Sequence, residues 1–415
     1  MKKDLSDKKT AFYKIWGRDP DPAAVAQMED ACSLSIAVRG ALMPDAHKGY
    51  GLPIGGVLAV RDAVIPYAVG VDIACRMKMT ILDIPCEVYG SQRGRFKIAL
   101  EQETCFGVGE FFQKPKHHNV MDEDWGFCPQ TKALKDKAWK QLGTSGAGNH
   151  FAEFGRLILE RDESFLSKGK YLALLTHSGS RGAGAAIADH YSRVARQRHP
   201  ELPKGLNHLA WLDLDSSEGQ EYWRAMELMG RYASAGHEII HRSVLDHLGA
   251  GSVFTLENHH NFAWKETLFQ RPVIVHRKGA TPAHRGVMGI ILGSMASPAF
   301  IVRGLGNEDA LNSAAHGAGR RMSRTAAIKK FQWNDLNALL KEKGITLISG
   351  GLDEIPMAYK DIETVMADQE DLIDIVAKFE PKLVKMAPMK GRSRSQKKKT
   401  SKKGKRKKVH RRSLS

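Results

Sequence analysis

No Cys-x-x-Cys pair occurs in these 415 residues, and the five cysteines (Cys32, Cys75, Cys86, Cys105 and Cys128) are odd in number and scattered. That excludes a local zinc finger and a disulfide framework, and it fits a reducing, cytoplasmic setting. No apolar run approaches the roughly 20 residues that would span a bilayer. The first residues, Met1-Lys2-Lys3-Asp4-Leu5-Ser6-Asp7, carry no apolar signal core. No internal repeat is present, and no clear linker interrupts residues 1–390. One domain is therefore expected over 1–390. From 391 to 415 there is neither Asp nor Glu, while 13 Lys and Arg are present; of the formal +17 only +4 remains for the rest. Such a segment has too little apolar surface to offset its ordering entropy, so 391–415 is expected to be a disordered basic tail. It suits phosphate backbones without sequence reading, or polyanions in general.

Hydrophobic residues make up 42% of the chain, enough for a sizeable core. The patterning predicts a mixed α/β (α+β) fold. Helices are expected over 22–34, 131–142, 183–197, 218–248 and 321–331. Strands are expected over 57–60, 77–82, 171–176, 254–257, 273–276, 345–349 and 382–386.

Chemistry-bearing residues fall in the connections. Asp72-Ile73-Ala74-Cys75 precedes the strand expected from Met77. A carboxylate and a thiolate three residues apart can ligate a borderline divalent ion such as manganese, zinc or iron. The same residues also read as a turn-capping Asp beside a small buried hydrophobe. Met43-Pro44-Asp45-Ala46-His47-Lys48-Gly49-Tyr50-Gly51 reads as an ordered loop that places Asp45 and His47 as site residues or as caps of its own backbone. Gly143-Thr144-Ser145-Gly146-Ala147-Gly148 lets the backbone approach a ligand closely, and Asn149-His150-Phe151-Ala152-Glu153 follows with strand alternation, so His150 faces away from Asn149 and Phe151. His177-Ser178-Gly179-Ser180-Arg181-Gly182 ends a buried strand and opens a helix, a place for an anion. His260 lies between two apolar segments, and Arg277-Lys278-Gly279 reads either as a phosphate contact or as a basic turn. His316-Gly317-Ala318-Gly319-Arg320 is expected to open a helix, where a neutral imidazole could attack phosphorus.

Taken in order, these segments resemble the RtcB-type RNA ligases over most of residues 40–391. The resemblance rests on Met43-Pro44-Asp45-Ala46-His47, Val71-Asp72-Ile73-Ala74-Cys75, Gly148-Asn149-His150-Phe151-Ala152-Glu153, His177-Ser178-Gly179-Ser180-Arg181-Gly182 and His260-Asn261-Phe262-Ala263. It continues in His276-Arg277-Lys278-Gly279-Ala280-Thr281, Gly293-Ser294-Met295, His316-Gly317-Ala318-Gly319-Arg320, Ala358-Tyr359-Lys360-Asp361 and Lys390-Gly391. It implies an RtcB-like single-domain fold with a central metal and nucleotide cleft. The implied activity joins RNA 3′-phosphate or 2′,3′-cyclic phosphate ends to 5′-hydroxyl ends, using GTP and two Mn²⁺, with tRNA among the candidate substrates.

By the same resemblance Cys75 bridges the two ions, His150 and His177 share one with it, and Asp72 and His260 share the other. His316 is the nucleophile that takes GMP. Asn149, Phe151, Glu153, Ser294, Ala318, Gly319, Tyr359 and Lys390 fall at nucleotide-pocket positions. Arg181, Arg320 and Arg324 fall at RNA phosphate contacts, and Asp45 falls in a loop facing the RNA end. Two segments depart from the family pattern. The approach to the Asp-x-x-Cys turn is Ile65-Pro66-Tyr67-Ala68-Val69-Gly70 in place of a Pro-Gly-Gly type. Ala296-Ser297-Pro298-Ala299 replaces Gly-Thr-Ala-Ser, which implies a missing hydroxyl contact to the nucleotide. Two other outcomes therefore stand beside ligation: a guanylyltransferase that caps 3′-phosphate ends without joining them, and a non-catalytic RNA-binding protein.

Overall fold

A strand with consecutive apolar residues must be covered on both faces, and Leu172–Leu175 within Gly169–Ser178 shows how. Leu172 and Leu174 pack with Phe96, Val244 and Leu248, from the helices Arg93–Glu103 and Ser217–Leu248. Their neighbours Ala173 and Leu175 point the other way, into Met77, Ile81, Leu157 and Phe379. The computed structural model describes residues 10–268 and 270–389; Lys390 and the basic tail lie outside the described residues.

Gly169–Ser178 belongs to an eight-stranded sheet. Its order is Met288–Ile291, Ala299–Gly304, Ile373–Met386, Phe151–Leu159, Gly169–Ser178, Arg76–Leu82 and Ser252–His259, with Thr346–Ser349 pairing alongside Ile373–Met386. A five-stranded sheet stands beside it, in the order Tyr13–Ile15, Ala37–Tyr50, Leu52–Val60, Arg271–Lys278 and Asn261–Leu268. A single residue, His260, separates Ser252–His259 of the large sheet from Asn261–Leu268 of the small one.

The long helix Ser217–Leu248 packs on the large sheet. The Ser216 hydroxyl accepts from the Gly219 amide at its start, and Gly249 closes it in the left-handed conformation. Inside, Thr176 Oγ1 lies 2.7 Å from His237 Nδ1 and 2.8 Å from His241 Nε2, and Thr80 Oγ1 lies 2.8 Å from His241 Nδ1. These contacts tie the helix to the strands carrying the site.

Three expectations are corrected. Residues 43–50 are not a loop but part of the strand Ala37–Tyr50, whose pairing with Leu52–Val60 shifts register between Leu42 and His47 and again between His47 and Tyr50. Bulges let a strand accommodate the Pro and Gly residues that read as a loop. The helix expected over 321–331 covers only Arg324–Lys330, so His316 ends the short strand Ser313–Ala315 and does not open a helix. Arg277 has no exposed surface: it is paired to Glu266 (2.6 and 3.2 Å) and donates to the Leu311 carbonyl, so it is a core ion pair and not a phosphate contact.

A candidate active site at the edge of the large sheet

Four neighbouring strands of the large sheet alternate in direction, so their starts and ends meet at one edge. Phe151–Leu159 and Arg76–Leu82 begin there; Gly169–Ser178 and Ser252–His259 end there. Register places His177 opposite both Phe151 and Met77, and Arg76 opposite Ser178 and His259. Consequently His150, Cys75, His177 and His260, which precede, close or follow these strands, converge although they are scattered in sequence.

Cys75 Sγ lies 3.4 Å from His150 Nε2 and 3.2 Å from His177 Nε2. His177 Nε2 lies 3.4 Å from His260 Nε2, and Asp72 Oδ2 lies 3.0 Å from His150 Nε2. The opposite ring nitrogens meet carbonyls. His150 Nδ1 is 3.1 Å from the Ser145 carbonyl and His177 Nδ1 is 3.0 Å from the Asn149 carbonyl. A carbonyl only accepts, so His177 Nδ1 carries the proton and its Nε2 lone pair turns inward, while His150 has acceptors at both nitrogens, the Ser145 carbonyl at Nδ1 and Asp72 at Nε2. Burial, reinforced by the neighbouring histidines, holds His177 and His260 well below the ordinary histidine pKa. Burial, then the charge of Asp72, pushes the Cys75 thiol well above its ordinary value. Burial also pushes the Asp72 carboxyl up, but His150 and Arg181 outweigh it and hold Asp72 below the usual carboxylate range. Facing lone pairs with so few protons among them are what a cation relieves, and a divalent ion would ionise Cys75. Ligand atoms of buried Cys75, His150 and His177 all lie within 4.8 Å of one another, so this group could hold a metal ion. A soft thiolate with imidazoles and a carboxylate suits a borderline divalent ion.

The turn itself is held from outside. Ala74 has φ +55°, unusual for a residue with a side chain. Its amide donates to the Asn261 carbonyl (2.7 Å), the Asn261 side-chain amide donates to the Asp72 carbonyl (3.2 Å), and the Gly279 amide donates to Asn261 Oδ1 (2.8 Å). Asn261 is thus the staple of the metal turn, a role its place inside the His260-Asn261-Phe262-Ala263 segment did not reveal. Gly179 has no room for a side chain, because a Cβ there would lie 2.3 Å from Asp72 Oδ1. The helix start at Ser180–Arg181 therefore has the Asp72 carboxylate beside it.

Next to this cluster opens a cleft lined by Asn149, Phe151, Glu153, His177, Ser294, His316, Ala318, Gly319, Arg320, Arg324 and Tyr359, all picked out in the sequence, together with His47. His316 closes the gap between the two: its ring centroid is 4.8 Å from that of His260. Asp45, expected in a loop facing the RNA end, lies in the strand Ala37–Tyr50 and is fully buried, with Oδ2 2.7 Å from His316 Nδ1 and 3.3 Å from the amides of His316 and Gly317. A carboxylate there holds the proton on Nδ1 and leaves Nε2 as the reactive nitrogen.

Glu153 is buried in the cleft wall, and burial alone pushes its carboxyl well above the usual range. Arg320 and Arg324 both reach Glu354, at 2.8 and 2.6 Å, and the Tyr359 hydroxyl donates to the same carboxylate. Glu354 was missed in the sequence; it sits in a Gly-rich stretch with no motif around it. Arg181 stands behind the cluster, with Nη1 3.0 Å from His150 Nδ1 and 3.2 Å from Ser178 Oγ. Ser297, at the position of the family's Thr, lines the cleft with its Oγ 2.9 Å from Ser294 Oγ, and Ala299, at the position of the family's Ser, lines it without a hydroxyl. Among the described residues no helix is long and apolar enough to cross a membrane.

Sequence comparison adds a second line. An RNA-splicing ligase RtcB1 of Escherichia coli is 34% identical over 408 residues, covering 91% of this chain and 97% of that protein. The RNA-splicing ligase RtcB of E. coli K12 is 33% identical, with the same coverage of both chains. The tRNA-splicing ligase RtcB of Nanoarchaeum equitans is 30% identical over 82% of this chain and 86% of its own length. The tRNA-splicing ligase RtcB family matches residues 27–128 and 127–387, a span that contains the whole cluster and the cleft beside it; this chain belongs to that family.

Proposed function

We propose that this protein is an RNA ligase that consumes GTP, works with Mn²⁺ and joins RNA 3′-phosphate or 2′,3′-cyclic phosphate ends to 5′-hydroxyl ends. The observation that carries the reading is His316, fixed by Asp45 through Nδ1 at 2.7 Å, standing between the Cys–His cluster and the cleft. His316 Nε2 attacks the α-phosphorus of GTP; the bond to the β-phosphate oxygen breaks and pyrophosphate leaves. Asp45 stabilises the positive charge that the ring gains. An oxygen of the RNA 3′-phosphate then attacks the same phosphorus, the P–N bond breaks, and His316 returns to its neutral form. The 5′-hydroxyl attacks the activated 3′-phosphate, and GMP leaves. A cyclic phosphate is first opened by water to the 3′-phosphate.

Asp72, Cys75, His150, His177 and His260 would hold two Mn²⁺, which would neutralise phosphate charge as Lewis acids. Glu153, a buried carboxyl with no cation paired to it among the described residues, suits the N–H edge of guanine, and Phe151 supplies an apolar face beside it. Asn149, Ser294, Ala318, Gly319 and Tyr359 complete the nucleotide wall, with Lys390 assigned there from sequence. Arg181, Arg320 and Arg324 are the RNA-phosphate candidates. A phosphate reaching the last two competes with Glu354 for them.

Incubation with α-labelled GTP and Mn²⁺ tests the reading. The expected product is an acid-labile, alkali-stable label on the protein that is absent in His316→Ala. RNA bearing a 3′-phosphate and a 5′-hydroxyl should then yield a longer strand. No adduct on the wild type would overturn the proposal; an adduct with no longer strand would leave a capping guanylyltransferase.

A further inference from the structure

Tyr50 is 70% exposed, yet the backbone around it is held by four hydrogen bonds from side chains. It sits at the tip where Ala37–Tyr50 turns into Leu52–Val60. Gln27 clamps the tip from both sides, donating from Nε2 to the Gly49 carbonyl and accepting the Gly49 amide at Oε1, each at 2.9 Å. Asp21 accepts the Lys48 amide at 3.0 Å, and the buried Lys278 ammonium donates to the Tyr50 carbonyl. Gly51 (φ +68°) sits directly on the chain beneath, where a Cβ would lie 2.7 Å from the His208 carbonyl oxygen. A tip fixed this way presents its side chain instead of letting it search.

The exposed ring has company. Its centroid is 6.0 Å from that of His208, edge to face, and His208 is 4.6 Å from Tyr67. Tyr67 belongs to the one-turn helix Pro66–Val69 that leads into the Asp72–Cys75 turn, in the segment that departs from the family pattern. Arg196 places positive charge beside His208, and Lys48 is exposed next to Tyr50. Tyr50 follows His47, a cleft-lining residue, by three positions on the same strand, about 10 Å at the rise of an extended chain.

We propose that Tyr50, Tyr67 and His208 form a stacking platform for unpaired bases of the RNA strand next to the break being sealed. Rigid aromatic faces with flanking cations are what single-stranded nucleic acid uses: bases stack on the rings and the backbone meets the charges. A folded protein partner would bring apolar side chains to this face. The cations around the rings and the cleft a few residues away favour RNA.

The inference rests on the ligase reading, and the two fail separately. That reading falls if the wild type forms no GMP adduct, whatever Tyr50 does. The platform is tested without GTP or metal, with the full chain and a short single-stranded RNA ending in a 3′-phosphate, one base near that end replaced by 2-aminopurine. Tyr50→Ala and Tyr67→Ala should weaken binding about 5- to 100-fold and relieve the quenching of the fluorescent base, while Tyr50→Trp keeps both. Melting temperatures report that the variants are folded; if Tyr67→Ala is not, the exposed Tyr50 pair carries the test. Unchanged affinity and quenching in Tyr50→Ala would overturn the platform, as would an equal loss of affinity for fully double-stranded RNA.

Discussion

On one side of the cleft Asp72, Cys75, His150, His177 and His260 turn lone pairs toward one another. On another, Arg320, Arg324, Tyr359 and Glu354 have already satisfied one another, with both guanidinium groups on one carboxylate. The first gathers groups that can ligate a metal ion, with Arg181 as the neighbouring cation. The second has two guanidinium groups on one carboxylate and so keeps one positive charge in excess. A phosphate entering there exchanges with Glu354 for an arginine, so binding is offset by the pair it breaks. That balance suits a strand end that must be held and then released. His316 lies between the two, tied by Asp45 to neither.

Substitutions on the two sides should separate. His316→Ala is expected to lower GMP labelling by about 10⁴-fold or more, as loss of a nucleophile does, and to leave metal content unchanged by elemental analysis. Cys75→Ala is expected to lose the metal, with affinity falling at least about 100-fold, beyond what outer-sphere changes produce, and labelling falling with it. A Cys75→Ala protein with full metal occupancy would mean that the thiolate is not the hub of the cluster. Asp45→Asn should come next, at about 10²- to 10⁴-fold lower labelling with little change in KM for GTP, because an amide can stabilise the wrong imidazole tautomer. A large rise in KM with unchanged kcat would place Asp45 in binding instead.

The two sides also differ in how far the sequence reveals them. The ligand cluster is built on strand ends, and strands announce themselves through apolar runs such as 171–176; the residues at their ends could be named from the chain. The fixing of His316 could not. Asp45 sits in a strand that reads as a loop, and its partner is 271 positions away. Glu354 and Asn261 were missed for a related reason: each acts by accepting or bridging groups that only the folded chain brings near, Glu354 in no motif and Asn261 in one whose evident chemistry is the histidine before it. Arg277 shows the reverse error. Its motif resembles a phosphate contact, but Glu266, eleven positions before it on the neighbouring strand Asn261–Leu268, accepts its guanidinium within the core. Charge in a sequence says that a partner is needed, not whether the partner is a ligand or the protein itself.

Glu153 gives the smallest expected effect and the sharpest test of the difference between the two sides, because it is the cleft carboxyl for which no cation appears among its influences. Burial raises its pKa, so between about 4.5, the ordinary value, and the raised value the folded protein keeps a proton that the unfolded chain has lost. Its contribution to stability is therefore complete below about 4.5 and is lost as pH rises through that window, by at most about 1.4 kcal/mol per pH unit. A glutamine amide at this position cannot ionise, so Glu153→Gln should melt close to the wild type at pH 5 and above it at pH 8, as read by thermal denaturation without nucleotide. The same variant should discriminate less between GTP and ATP in the labelling assay, since an amide offers one acceptor where the carboxylate offers two. A melting difference that does not change with pH would mean that Glu153 carries its charge in the fold, and the cleft would then hold two carboxylates of which only Glu354 is paired to arginine.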